Sequence, residues 1–185
     1  MPFAAINPDR ERFHFHATAV QYYLAGRWAW LNQISPVAAN LMHHAVEMAL
    51  KAALARQRTL KQLRNFRHGL VRLWAEFKVT FPEVRVDRLD EVIRDLHAFE
   101  ALRYPDSVVM HGALIQLVLL REHQERAGPG PHGEPSYVIV LEAVDDLFQQ
   151  IALAGGLSLS IQRELMTDAA KAVLADDNRY ERSWQ

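Results

Sequence analysis

The chain has 185 residues and a mass of 21.2 kDa, with half its residues hydrophobic and 23% charged, as for a single globular domain. Its 21 Lys/Arg and 22 Asp/Glu leave a net charge of −1, which excludes a strongly basic nucleic-acid binder and a disordered acidic chain. It contains no cysteine, so a disulfide scaffold, a thiolate metal centre and a cysteine nucleophile are excluded too.

In chain order the pattern reads mainly helical. A first helix is predicted from near Phe15 to Leu31, with Val20, Leu24, Trp28 and Leu31 at helical spacing. After Asn32-Gln33-Ile34, Ser35 suits an N-cap and Pro36 a first helical position. The second helix then runs from Pro36 to about Gln57, rich in the strong helix formers Ala, Leu and Met. A third, entered through His68-Gly69, carries Leu70, Leu73, Trp74 and Phe77 and stops at Phe81-Pro82. A fourth, near Asp87 to Leu102, has Leu89, Val92, Ile93, Leu96 and Phe99 on one side.

Beyond Pro105 the pattern changes. Residues 107–120 are β-branched and apolar, and Tyr137-Val138-Ile139-Val140 reads as a strand. Gly128 to Pro135 between them is a Gly/Pro loop, so the two segments are expected to form a β-hairpin. Two C-terminal helices follow, about Leu141–Ala154 and about Ser158–Leu174, the second with Ile161, Leu165 and Val173 on its apolar side. The expected fold is thus a mainly α, up-and-down helical bundle in one domain spanning 1–185. Its core covers about 14–105, a hairpin extension about 107–140, and the C-terminal helices about 141–175.

No apolar stretch reaches the roughly 18–20 residues of a membrane span, and the N-terminus has no basic region followed by an apolar one. A cytoplasmic location without membrane contact is expected from this absence of signals. Charge is uneven along the chain: residues 1–80 carry a balance of +7 and residues 81–185 one of −8. The positive excess lies in Lys51, Arg56, Arg58, Lys61, Arg64, Arg67, Arg72 and Lys78, with Glu76 the only acid among them. Two accounts are open: a footprint for phosphates, or docking of a basic half on an acidic half, within one chain or across a dimer.

The second helix holds the most informative pattern. Asn40, His43, His44, Glu47 and Lys51 fall at offsets of 0, 3, 4, 7 and 11, which places all five on one face of an otherwise apolar helix. A helix apolar round most of its circumference belongs at the centre of a bundle. Its polar stripe then either lines a groove between helices or is a solvated stripe with a Glu47–Lys51 pair.

His43 to Leu54, followed by His68-Gly69-Leu70 and Leu73 and then by Arg103-Tyr104-Pro105, resembles the core of the HEPN family, the nucleotide-binding domain of higher eukaryotes and prokaryotes. The resemblance covers residues 14–105. It implies a helical bundle that is often a homodimer. Many members are metal-independent ribonucleases using an Arg, four to six residues, and then a His. Here that spacing occurs as Arg10/His16 and Arg126/His132, neither on a late helix, so the catalytic signature is absent in its usual form. Other members are non-catalytic modules that bind a nucleotide or a partner nucleotidyltransferase, or act in defence and toxin–antitoxin systems.

The resemblance therefore implies a non-catalytic nucleotide- or RNA-interacting module. Lys51, His68, Arg103 and Tyr104 are its expected ligand-binding residues, with His44 and Glu47 beside them; cations balance phosphate charge and tyrosine stacks on a base. The structural alternatives are that Lys51 only pairs with Glu47, His68 only caps the third helix, and Arg103 only bonds a helix end. A degenerate metal-independent endoribonuclease and a protein-interaction scaffold are the competing functions, with an antitoxin as one possible partner. No metal and no cofactor are expected: adjacent His43 and His44 diverge by about 100° on a helix, and no P-loop or dinucleotide motif is present. Asp145-Asp146 is expected to be a solvated pair, and Trp28, Trp30 and Trp74 to lie in the core or an interface.

Overall fold

Small and straight-chain residues fill the second helix, α2 (Val37–Leu54), and let neighbours approach it from several sides. In the computed structural model, which describes residues 8–103, 106, 109, 110, 112–123 and 134–185, α2 is the axis of the molecule. It packs along α1 (Pro8–Leu31) and against α4 (Leu70–Thr80), α5 (Asp90–Ala98) and α6 (Leu141–Ala154). The short α3 (Leu60–Asn65) precedes α4, and α7 (Leu159–Glu164) and α8 (Asp168–Ala175) close the chain. Close approach has a visible mark at Gly155: a Cβ there would lie 2.7 Å from that of Ala53. No helix among the described residues is long and apolar enough to cross a membrane.

The mainly helical reading holds, and several details differ from expectation. Helix α2 has no side-chain cap from Ser35; Pro36 occupies the cap position, and the Ala38 N–H donates to the Ile34 carbonyl. Helix α3 went unread, although Thr59 and Gln62 form a reciprocal capping box at its start. The fourth predicted helix is α5 flanked by 3-10 turns at Asp87–Leu89 and Phe99–Arg103. The last predicted helix is two, because Thr167 accepts a hydrogen bond from the Ala170 N–H and starts a new one. As a result Ile161 and Leu165 are exposed, and Leu159 and Leu174 point inward instead.

The two strands form a parallel pair and not a hairpin. β1 (Leu114–Val118) and β2 (Ser136–Val140) pair in register from Leu114↔Ser136 to Val118↔Val140. Residues 119–135 are long enough for the crossover that parallel strands require, about a dozen residues or more. The alignment is fixed by the first turn of α6. The Glu142 N–H donates to the Leu119 carbonyl, the Arg121 N–H donates to the Glu142 carboxylate at 3.0 Å, and the Arg121 guanidinium reaches Asp146 at 3.3 Å. Both strands are thereby held at their C-terminal ends. Of the expected Gly128–Pro135 loop, residues 128–133 lie outside the described residues.

The inward face of α1 is His16, Ala19, Val20, Tyr23, Arg27 and Trp30, spaced at 3, 4, 7, 11 and 14 residues. It is not the predicted stripe, for Trp28 is half-exposed. Two ionisable residues on this face hid it. Arg27 is fully buried and pairs with Asp145, which also accepts from the Tyr23 hydroxyl at 2.7 Å. Arg27 also donates to the Val173 and Asp176 carbonyls, so one guanidinium ties α1 to α6 and to the C-terminal segment. Asp146 is buried beside it and accepts from Arg88 at 2.8 Å. Neither aspartate is solvated.

His16 has no such partner: its Nε2 is buried without a hydrogen bond. Burial, then the nearby Arg12 charge, push its imidazole down to about 4. The unfolded chain, with histidine near 6.5, therefore binds more protons between those limits, and stability falls as pH falls through them. The expected loss is up to about 3 kcal/mol by pH 4. Urea unfolding of the protein and of His16→Leu at pH 7 and pH 4.5 checks it; the variant should lose less stability across the interval, and equal losses would exclude His16 as the cause.

Candidate functional site

The polar stripe of α2 is a buried network centred on Glu47. The Glu47 side chain is fully buried, and an unpaired carboxylate there would be strongly unfavourable. It is not unpaired. Lys51 Nζ, one turn later, lies 2.5 Å from Oε1; His68 Nδ1 lies 3.0 Å and His44 Nδ1 3.4 Å from Oε2. Burial raises the carboxyl, but the bonds from His44, Lys51 and His68 and the Lys51 charge outweigh it, and the group is held down to about 2. Glu47 is an anion at any physiological pH.

Lys51 and His68 come together because of the turn between α3 and α4. Arg67 adopts a left-handed backbone with φ 49°, uncommon for a side chain of its size, and its carbonyl accepts from Lys51 Nζ at 3.1 Å. This positions His68, whose side chain is about half-exposed. His68 does not cap α4: Gly69 stands at the cap position, and no side chain bonds the helix end. With Nδ1–H donated to a carboxylate that can only accept, Nε2 of a neutral His68 is an acceptor. A buried carboxylate orienting a partly exposed imidazole is the arrangement that fits histidine for proton transfer.

Behind this pair sits a second layer. His43 is fully buried; its Nδ1 lies 3.0 Å from the Leu96 carbonyl, and its Nε2 lies 3.6 Å from Glu100 Oε2 and 3.9 Å from Glu47 Oε2. Burial pushes the His43 imidazole below its ordinary range, against the Leu96 carbonyl and the two glutamates that pull it up. The His44 ring meets the His68 ring edge-on at 5.7 Å, and the His97 ring stacks on His43 at 6.4 Å. The ligand atoms of His43, His44 and Glu47 all lie within 4.8 Å of one another. Although they are adjacent on the helix, both histidines thus face the same Glu47 oxygen.

Of the expected ligand-binding residues, His44, Glu47, Lys51 and His68 converge. Lys51 is not part of an open surface, since it is buried with its ammonium bound to Glu47 and the Arg67 carbonyl. Neither a solvated Glu47–Lys51 pair nor a lysine free to meet phosphate describes it; Lys51 positions the turn. The Arg103 side chain and Tyr104 lie outside the described residues, as do Arg126 and His132. Arg10 and His16 do not form a pair: six residues apart on one helix, they sit about 240° round from each other, with Arg10 exposed and His16 buried. Sequence reading placed His43 on the stripe but gave it no role, and it missed Glu100 and the His97 stack.

The basic stretch divides in two. Arg58 pairs with Glu76, and Lys78 reaches Asp90 at 2.9 Å and Asp87 at 3.2 Å. Lys61, Arg64, Arg67 and Arg72 are exposed on the α3–α4 segment, with no ion pair among the described residues. Arg58, Gln62, Asn65, Phe66 and Arg72 line a groove on this segment, and the Arg72 guanidinium lies 5.7 Å from the Phe66 ring centre. Docking of the basic half on the acidic half thus accounts for Lys78 and Arg27 and leaves this patch unexplained. No family model matches the chain, and neither a curated protein nor a solved structure is detectably similar to it.

Proposed function

We propose that the chain is a HEPN-like helical module that binds a nucleotide or RNA along its α3–α4 segment without cutting it. The observation that carries this reading is the exposed set Lys61, Arg64, Arg67 and Arg72, without ion pairs among the described residues and contiguous in sequence with His68. Guanidinium groups suit phosphate oxygens in two-pronged contacts, and the amides and ring of Gln62, Asn65 and Phe66 beside Arg58 and Arg72 suit a base. A homodimer, and a nucleotidyltransferase or antitoxin as partner in a defence setting, belong to the same proposal through the family resemblance.

Anisotropy of a labelled single-stranded RNA tests it. Four phosphate contacts give a log–log salt slope of about −3, and each cation removed lowers it by about 0.7. Arg64→Ala/Arg67→Ala should therefore bind more weakly and with a shallower slope. Affinity that is unchanged in this variant, or indifferent to salt, rejects the patch as the interface. Sedimentation of the same sample reads the dimer; a monomer mass at high concentration removes that part.

A second reading, a metal-independent endoribonuclease, is favoured by one observation, the Glu47–His68 contact at 3.0 Å. RNA cleavage in the presence of EDTA that disappears in His68→Ala would place it ahead of the first.

A further inference from the structure

We propose that His68 is a phosphorylation site, accepting a phosphoryl group on Nε2 from a donor of the phosphoramidate class, such as a phosphohistidine on a partner protein. Its two ring nitrogens are set apart by Glu47. Nδ1 lies 3.0 Å from Glu47 Oε2, and the Glu47 side chain is fully buried. A carboxylate only accepts, so the inner nitrogen carries the proton. The nitrogens of an imidazole point in nearly opposite directions, and Nε2 therefore turns outward on a side chain that is 51% exposed. There it keeps a lone pair, which makes it the nucleophilic atom of the ring. Other histidines lack this combination. His16 and His43 are buried, His44 faces the same Oε2 at 3.4 Å but is only 22% exposed, and His14 is exposed without a carboxylate bond among the described residues.

The surroundings suit the group transferred. Arg67 directly precedes His68, and Arg64 and Arg72 stand four positions before and after it; all three are exposed, with no ion pair among the described residues. Guanidinium groups match phosphoryl oxygens in charge and in geometry. In the step itself the Nε2 lone pair attacks phosphorus and forms a P–N bond, while the P–N bond of the donor breaks. The electron pair of that bond leaves on the donor nitrogen, which departs as a neutral amine or imidazole. His68 ends with phosphate on Nε2 and a proton on Nδ1, and the positive charge of its ring faces the Glu47 carboxylate. One P–N bond replaces another, so no further reactant is consumed. The arginines are shared with the nucleic-acid reading, but phosphoryl incorporation is measured without RNA, and either can fail alone.

The test incubates the full chain with potassium phosphoramidate at pH 8. Intact mass should show one phosphoryl group per chain added ahead of any other, and its ³¹P resonance should be that of an acid-labile, Nε2-linked phosphohistidine. His68→Gln, at an exposed position where folding should survive, abolishes this fast phase. His14→Gln, on the exposed side of α1, leaves it unchanged. Arg64→Ala/Arg72→Ala slows it by about 10-fold or more, through loss of charge at the phosphoryl oxygens. Glu47 is a positioning residue, and its readout is the linkage. An amide can serve either tautomer, so folded Glu47→Gln should yield a mixture of Nδ1- and Nε2-phosphate. Absence of a fast phase overturns the proposal, as does one that persists in His68→Gln. An Nε2-only product in Glu47→Gln rejects Glu47 as the orienting group, and with it the basis of the assignment.

Discussion

Asp145→Ala is expected to lower the folding free energy by about 3–5 kcal/mol, the usual result of removing one partner from a buried ion pair. For a chain of this size each kcal/mol moves the thermal midpoint by about 2–4 °C, so the midpoint should fall by about 6–20 °C. The cause is what remains behind. Arg27 is fully buried on α1, and without Asp145 its charge keeps only backbone carbonyls for company, while the Tyr23 hydroxyl loses its acceptor. Arg27→Met/Asp145→Leu should cost less than Asp145→Ala alone, since it leaves neither charge nor donor stranded. Thermal unfolding of both proteins decides the matter. A loss under about 1 kcal/mol for Asp145→Ala, typical of a surface pair, would mean that the contact is not buried in solution.

The second large effect belongs to Glu47. Glu47→Gln preserves shape but removes the charge that holds Lys51, His44 and His68, and an expected loss of about 3 kcal/mol follows from the stranded ammonium of Lys51. The damage should be shared. In Glu47→Gln/Lys51→Met the two losses should fall short of additive by more than about 1 kcal/mol, the signature of residues in one network. Urea unfolding of the single and double variants gives that coupling directly. Additive losses would show that Glu47 and Lys51 do not act together. The Arg67 turn supplies a local readout. Lys51→Met frees its carbonyl, so amide exchange at residues 67 to 69 should accelerate even where global stability is corrected for.

The central helix was legible because its signal is local. Alanine, leucine and methionine set its propensity, and the 3, 4, 7 and 11 spacing of its polar residues set its polar face. The strand direction was not legible, since a Gly/Pro-rich segment fits either a hairpin tip or part of a crossover. What decides is the hold of Glu142 and Asp146 on the residues after β1, a contact across more than twenty positions. The inward face of α1 was misread for a related reason: Arg27 looks like a surface residue until Asp145 is brought in from 118 positions away. In the site, His44, Glu47 and Lys51 could be grouped from helix spacing alone, and His68 came from the family resemblance. Glu100 arrives from the turn after α5, where no spacing rule links it to α2.

The Arg27–Asp145 tie also bears on how the molecule is born. At about 5–20 residues per second, roughly 6–24 seconds separate the synthesis of Arg27 from that of Asp145. Throughout that interval the guanidinium destined for the interior has no carboxylate to meet. The tie between α1 and α6 is therefore closed only once the last third of the polypeptide has been made.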